Sequence, residues 1–416
     1  MKCNSLIKGL SAVLMLILSC SSNASQSNNQ IQNNALEFGL NSTHLRCYYR
    51  DYSGPLKLGT NRLWAKINDQ YYTLTGQWDD PFSLVLNSFH TTAQYSEVEQ
   101  ACIKTLKAHH ITAELAGMAA ANSDLSWDYR INTSLQTNST GYNKIVAFGD
   151  SLTDLHNSYI GTFNVFPNGS SWYWGRFSNG PLWVEQLGKL MKLPVDVYAQ
   201  ANTRTDTQNI AFLFPYLLGL QDQVNLWVKT SAKDQDADRS KMLFTVITGG
   251  NDLAQTNITP REISARIKIA LNVLVLNGAK NIILLTVPDI TKSPYYTDYR
   301  PNLIEQDRRR VTELNAELTD LAKQITNSSD TKVTLFDTSK LYDQIIQNPS
   351  NYGITLVDQS CLDIVNDSLM FAVSHPLRSI CPDPDKALFW DIFHPTARVG
   401  QIWAEALYKQ LLAKQP

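Results

Sequence analysis

Between Lys144 and the end of the 416-residue chain, apolar strand-like runs alternate with helical patterns, and this alternation narrows the architecture more than any other feature. Strands are expected at 144–148, 242–248, 281–287 and 332–336, with helices at 181–192, 260–277 and 302–325 between them. Successive strands separated by helices cannot be joined by hairpins, so they must lie parallel, with the helices covering both faces of the sheet. Two further helices are expected at 211–228 and 397–412. The helix after Asn257 is sharply punctuated: Thr259 and Glu262 have capping-box spacing, Pro260 stands at its first position and Gly278 follows its end.

The amino-terminal third reads differently. Residues 1–24 have the form of an export signal, with Lys2 and Lys8 ahead of a short apolar stretch at 10–18 and small polar residues after it. The mature protein is therefore expected to be secreted, with lipidation at Cys20 as the alternative. Residues 25–44, rich in Gln, Asn and Ser, read as a mobile leader. A small α+β domain is expected over 45–131, with strands at 63–67 and 71–75 and a helix at 97–107. A polar linker follows at 132–143, and the α/β domain occupies 144–416. Aromatics such as Tyr48, Trp64 and Trp78 are assigned to packing in preference to a lipid-facing patch.

Export leaves Cys47, Cys102, Cys361 and Cys381 in an oxidising compartment. Of the three possible pairings, Cys47 with Cys102 and Cys361 with Cys381 close the shortest loops and are preferred on that ground. The cysteines lack metal-ligand spacing, so no metal site is expected. Lys and Arg total 36 against 38 Asp and Glu, without a basic stripe, which argues against nucleic acid as a partner.

The chemistry is concentrated in four short runs. Ile145-Val146-Ala147-Phe148 breaks into Gly149-Asp150-Ser151, which puts a hydroxyl at the carboxyl end of a strand, where open α/β sheets keep their ligands. Thr248-Gly249-Gly250-Asn251-Asp252 follows a second strand in the same way. Gly175 to Pro181 is a turn-rich run entering a helix, and Asp391 stands three residues before His394. Acyl transfer needs a nucleophile, a base held in one tautomer and donors for an oxyanion. Ser151, His394 and Asp391 fit the first needs; the backbone N–H groups of Ser151 and Gly180 and the amide of Asn251 fit the last. No metal or organic cofactor is required. His375 also precedes a proline but has Ala372 where a carboxylate is needed. Asp150 and Asp154 are read as turn residues, since a glycosidase pair would leave Asn251 and His394 without a role. Trp172, Tyr173, Trp174 and Phe177 are candidates for an acyl-chain groove, for core packing or for a lid.

Gly149-Asp150-Ser151-Leu152, Gly180, Gly250-Asn251-Asp252 and Asp391-Ile392-Phe393-His394 resemble, in order, the four blocks of the GDSL or SGNH lipase/acylhydrolase family. Stretches 176–181 and 287–290 are similar to the family's bacterial phospholipase branch, that of thermolabile hemolysins and glycerophospholipid–cholesterol acyltransferases. The resemblance implies a flavodoxin-like three-layer α/β/α domain. It also implies a serine acylhydrolase or acyltransferase working on phospholipids or lysophospholipids at a membrane or micelle surface. The chain departs from the pattern at Leu155-His156-Asn157, where Gly-Asn is usual, and at 201–205, where a Gly-Gly-Ala run is usual. A carbohydrate acetyl esterase and a non-catalytic surface-binding protein are the alternative readings.

Overall fold

The computed structural model describes residues 42–51, 59–78, 88–113, 115–122, 129–134, 141–162, 165–206, 217–231, 238–365, 369–373 and 378–413. In the amino-terminal part, β1 (Thr43–Asp51) pairs antiparallel with β2 (Gly59–Trp64). A tight hairpin of β3 (Lys66–Ile67) and β4 (Gln70–Tyr71) follows, turned by Asn68 and Asp69 in the left-handed region that both residues tolerate. Next come β5 (Thr73–Leu74), β6 (Gly76–Trp78), β7 (Ser88–Gln94), α1 (Tyr95–Ala108), β8 (Leu115–Ala121) and β9 (Arg130–Ser134). β8 pairs with β1, and β6, β7 and β9 form a second sheet. α1 closes the module by burying Val98, Ala101 and Cys102 against Leu45, Cys47 and Phe89. Its Cys102 is bonded to Cys47 of β1, S–S 2.04 Å.

The remainder contains β10 (Lys144–Gly149), α2 (Asn157–Gly161), α3 (Trp183–Met191), β11 (Val195–Val197), α4 (Leu220–Ser231), β12 (Met242–Ile247) and α5 (Gly250–Gln255). It continues with α6 (Pro260–Leu276), β13 (Asn281–Leu285), α7 (Ile304–Ser328), β14 (Lys332–Phe336), α8 (Thr338–Gln347), β15 (Leu356–Ser360), β16 (Ala387–Phe389) and α9 (Ala397–Leu412). Among the described residues, five strands form one parallel sheet in the order β11-β10-β12-β13-β14. This is the flavodoxin-like order, and its strand order reverses between β10 and β12.

Strand alternation sorts the core into two layers. Val146 and Phe148 of β10 face α4, α6 and α7, where they join Trp227, Ile267 and Leu314. Ile145 and Ala147 face the other way, against α3 and α9, with Trp183, Leu187 and Trp403. Burying each such large side chain stabilises the fold by about 1.5–3 kcal/mol before entropy is charged against it. The Thr259–Glu262 capping box is made in both directions, Glu262 N–H to Thr259 Oγ1 at 3.2 Å and Thr259 N–H to Glu262 Oε2 at 2.9 Å.

Several expectations shift. The helix expected over 211–228 is non-helical at 217–219 and runs from Leu220 to Ser231, while 211–216 fall outside the described residues. Asn132 and Thr133, expected to begin a linker, are buried in β9, which pairs with β7. Three-residue β11 gave no sequence signal, being too short for a period to register. Residues 1–41, with the expected export signal and Cys20, and His375 lie outside the described residues. The described parts on either side of the expected linker pack as one compact unit. Among the described residues, no helix is long and apolar enough to cross a membrane.

Candidate active site

Gly149 ends β10 beside Ile247, the last residue of β12, and the approach is so close that a Cβ on Gly149 would strike the Ile247 carbonyl. The side chain of Gln223 clasps the same glycine, accepting its N–H at 2.9 Å and donating to its carbonyl at 2.9 Å. Beyond it the chain turns sharply: the carbonyl of Asp150 accepts from Thr153 and Asp154, and its Oδ1 accepts the Leu152 N–H at 3.0 Å. Ser151 is thereby held at the carboxyl end of β10, at the switch point of the sheet.

His394 lies 2.8 Å from Ser151 Oγ through Nε2. Its other ring nitrogen, Nδ1, is 2.8 Å from each carboxylate oxygen of Asp391. Asp391 also closes its own turn, with Oδ1 accepting the backbone N–H groups of Phe393 at 2.8 Å and His394 at 2.9 Å. Oδ2 accepts the indole N–H of Trp172 at 2.9 Å. The carboxylate is fully buried, so these donors replace water and hold it in one orientation. An acceptor at Nδ1 sets the neutral tautomer in which Nε2 is free to accept the serine proton.

The loop bearing Gly180 is fastened to the chain just beyond His394. Ser178 Oγ donates to the Pro395 carbonyl at 3.1 Å, and Asn179 Oδ1 accepts the Ala397 N–H at 2.8 Å. Gly180 itself packs so near Ala397 that a Cβ would come within 2.9 Å of the alanine methyl. Asn251 opens α5 at the end of β12, beside β10, and spends one amide hydrogen on the Thr203 carbonyl at 2.9 Å.

Buried carboxylates clamp the 201–205 segment around these blocks. Asp154 accepts from Ala201, Asn157 and Ser158 backbone N–H groups, and Asp252 accepts from the Thr205 N–H and hydroxyl. Burial pushes the Asp150, Asp154 and Asp252 carboxyls up to about 6 against the pull of those hydrogen bonds. His156, expected only as a loop residue, stands just before α2 without a side-chain capping bond and stacks on Trp174 at 4.9 Å. Burial, then the charges of Arg176 and Arg130, holds its imidazole well below the ordinary histidine range.

Trp172, Tyr173 and Trp174 are buried: Trp172 bonds to Asp391, and the other two lie in a cluster with Tyr48, Ala116 and Ala119. Phe177 packs on the His394 ring at 4.9 Å. Cys361 and Cys381 are bonded, S–S 1.99 Å. Cys361 and Leu362 donate to the Phe389 and Trp390 carbonyls, which leads the bridge directly into the segment carrying Asp391. Among the described residues, no group of three or more His, Cys, Asp or Glu could hold a metal ion. Sequence reasoning missed the donor role of Trp172 and the clasp by Gln223; each bond spans far more chain than any local pattern covers.

Comparison with known proteins gives a consistent picture. Residues 145–407 match the family described as GDSL-like Lipase/Acylhydrolase, and residues 17–134 match the one described as Vibrio dual lipase/transferase, N-terminal domain. The chain is 32% identical over 372 residues to the thermolabile hemolysin of Vibrio parahaemolyticus, covering 88% of this chain and 87% of the hemolysin. It is 27% identical over 226 residues to the phosphatidylcholine-sterol acyltransferase of Aeromonas hydrophila, covering 53% of this chain and 65% of that protein. A GDSL esterase/lipase of Arabidopsis thaliana is 25% identical over 315 residues, 62% of this chain and 85% of the plant protein.

Proposed function

The chain belongs to the GDSL-like lipase/acylhydrolase family, and on that footing we propose that it is a secreted serine hydrolase of fatty acyl esters in phospholipids or lysophospholipids, able to pass the acyl group to an alcohol. The observation that carries this reading is the single imidazole of His394, 2.8 Å from the Ser151 hydroxyl on one side and 2.8 Å from the Asp391 carboxylate on the other. The lipid substrate is supported by the similarity to a hemolysin and a phosphatidylcholine-sterol acyltransferase, and export by the two disulfides.

In this mechanism His394 Nε2 takes the Ser151 proton as Oγ attacks the ester carbonyl. The oxyanion is received by the N–H groups of Ser151 and Gly180 and by the second amide hydrogen of Asn251. Collapse breaks the bond to the lysolipid or glycerophosphoryl alkoxide, which leaves with the proton from His394. Water or an alcohol, deprotonated in turn by His394, then attacks the acyl-Ser151 ester and releases fatty acid or a new ester.

The test is mass spectrometry of the products from phosphatidylcholine and lysophosphatidylcholine, with Ser151→Ala alongside. The expected result is free fatty acid from the wild type, none from the variant, and fluorophosphonate labelling of the wild type alone. Full esterase activity in Ser151→Ala defeats the mechanism, and a preference for acetyl over long-chain nitrophenyl esters defeats the lipid assignment.

A further inference from the structure

The segment 172–180 touches three things at once: the triad carboxylate through Trp172, the Gly180 loop, and the amino-terminal module through Trp174. The last contact is built with care. Tyr48 of β1 and Gly117 of β8 are opposite each other in the antiparallel ladder. The Trp174 indole lies over that pair, stacked on the Tyr48 ring at 4.1 Å and 26°. A Cβ on Gly117 would fall inside the space of the indole ring, so this strand position is open only because glycine occupies it. The neighbouring small residues Ala116 and Ala119 complete the socket.

The indole is held from its other side as well. His156 stacks on it at 4.9 Å, and the Arg176 guanidinium lies 4.7 Å from the ring while donating to the Trp174 carbonyl at 3.0 Å. Arg176 is itself fixed by the Glu185 carboxylate of α3 at 2.5 Å. Trp174 adopts φ +37°, a conformation that costs a bulky residue energy and persists only where surrounding contacts over-determine it. From this anchored residue the chain is short and stiff in both directions. Tyr173 N–H donates to the Ser178 carbonyl at 3.0 Å, closing the loop before Asn179 and Gly180, and Trp172 is two residues away.

We infer that the amino-terminal module is a positioning element for catalysis: its Tyr48–Gly117 socket grips Trp174 and thereby sets both the Trp172 donor on Asp391 and the Gly180 amide. Trp174, Tyr48 and Gly117 are positioning residues in this scheme, since none bonds to the reacting groups. The inference rests on the proposed role of Ser151, and it gives the module work that does not involve a lipid surface.

The experiment uses the full chain with Gly117→Val, Tyr48→Ala, Trp174→Ala and the double variant Gly117→Val/Trp174→Ala. Near-ultraviolet circular dichroism selects the variants that keep native packing; Tyr48→Ala, which only deletes a ring, guards against Gly117→Val failing to fold. Turnover is measured on a water-soluble nitrophenyl butyrate, and binding by co-sedimentation with phosphatidylcholine vesicles. The expected result is a drop in kcat of about tenfold or more with KM within about twofold, vesicle binding unchanged, and a double variant no slower than Trp174→Ala alone. Unchanged kcat in folded variants overturns the inference. So does loss of vesicle binding with soluble-ester turnover intact, or additive losses in the double variant. Failure of the underlying reading is separate: it appears as wild-type turnover that survives Ser151→Ala.

Discussion

The indole N–H of Trp172 reaches Oδ2 of Asp391 at 2.9 Å, a bond between residues 219 positions apart. It supplies the side-chain donor that, with two backbone N–H groups, keeps a fully buried carboxylate turned toward His394. Trp172→Phe retains most of the packing and deletes that donor. Losing a hydrogen bond to a charged group is worth about 1.5–3 kcal/mol, so kcat should fall roughly 10- to 100-fold while KM stays put. Steady-state kinetics on a soluble ester decide it, and unaltered kcat would show that the backbone donors suffice.

Asn251 offers its amide to the Thr203 carbonyl with one hydrogen and to the proposed oxyanion with the other. Asn251→Ala should therefore cost about 10²–10³ in kcat, the usual toll for one oxyanion donor. The rate of fluorophosphonate labelling provides a second measure, because the phosphonyl oxygen occupies the same place. A variant within threefold of wild type by both measures removes Asn251 from the hole.

The Cys361–Cys381 bridge closes a loop of sequence separation 20 next to the strand that leads to Asp391. Loop-closure entropy assigns it about 3 kcal/mol of stability. The paired replacement Cys361→Ser/Cys381→Ser should lower the urea midpoint accordingly and reduce activity at temperatures well below the new melting point. Activity that declines only in step with global unfolding would limit the bridge to a stabilising role.

Two substitutions should move the acid side of the stability profile in opposite senses. The His156 imidazole is held below its ordinary value by burial and by Arg176 and Arg130, so the unfolded chain binds the proton first. Its contribution is present above about pH 6.5 and is lost as pH falls, by up to about 1.4 kcal/mol per pH unit. His156→Phe, which keeps a ring on Trp174, should flatten that slope. Asp252 is raised to about 6 by burial, so its contribution is full below its unfolded value and is lost as pH rises through about 6. Asp252→Asn should spare the protein that loss above pH 6. Urea midpoints from pH 4.5 to 8 test both, and parallel curves for wild type and variants would contradict the assignments.

The legible part of the molecule is the part written locally. The proposed nucleophile Ser151 stands out because a buried strand stops at a Gly-Asp-Ser turn, and the proposed pair Asp391 and His394 because a carboxylate and an imidazole are neighbours across one turn. The parallel sheet is readable from strands such as 242–247, whose run is apolar at every position but Thr245 because both faces are covered. What escapes is non-local: the Trp172 indole reads as groove lining or packing until Asp391 is placed beside it, and Gly117 carries no expectation at all until Trp174 fills its space. The start of α4 is misread because apolar residues before Leu220 extend the helical period beyond the helix itself.

Asp391 accepts the backbone N–H groups of Phe393 and His394 while also facing the imidazole, so acid and base form one rigid block and cannot drift apart separately. Heat or denaturant that loosens this turn should extinguish turnover abruptly, with no partly competent intermediate in which the imidazole works unaided. Engineering for thermal endurance is accordingly best aimed at the anchorage of that block as a whole.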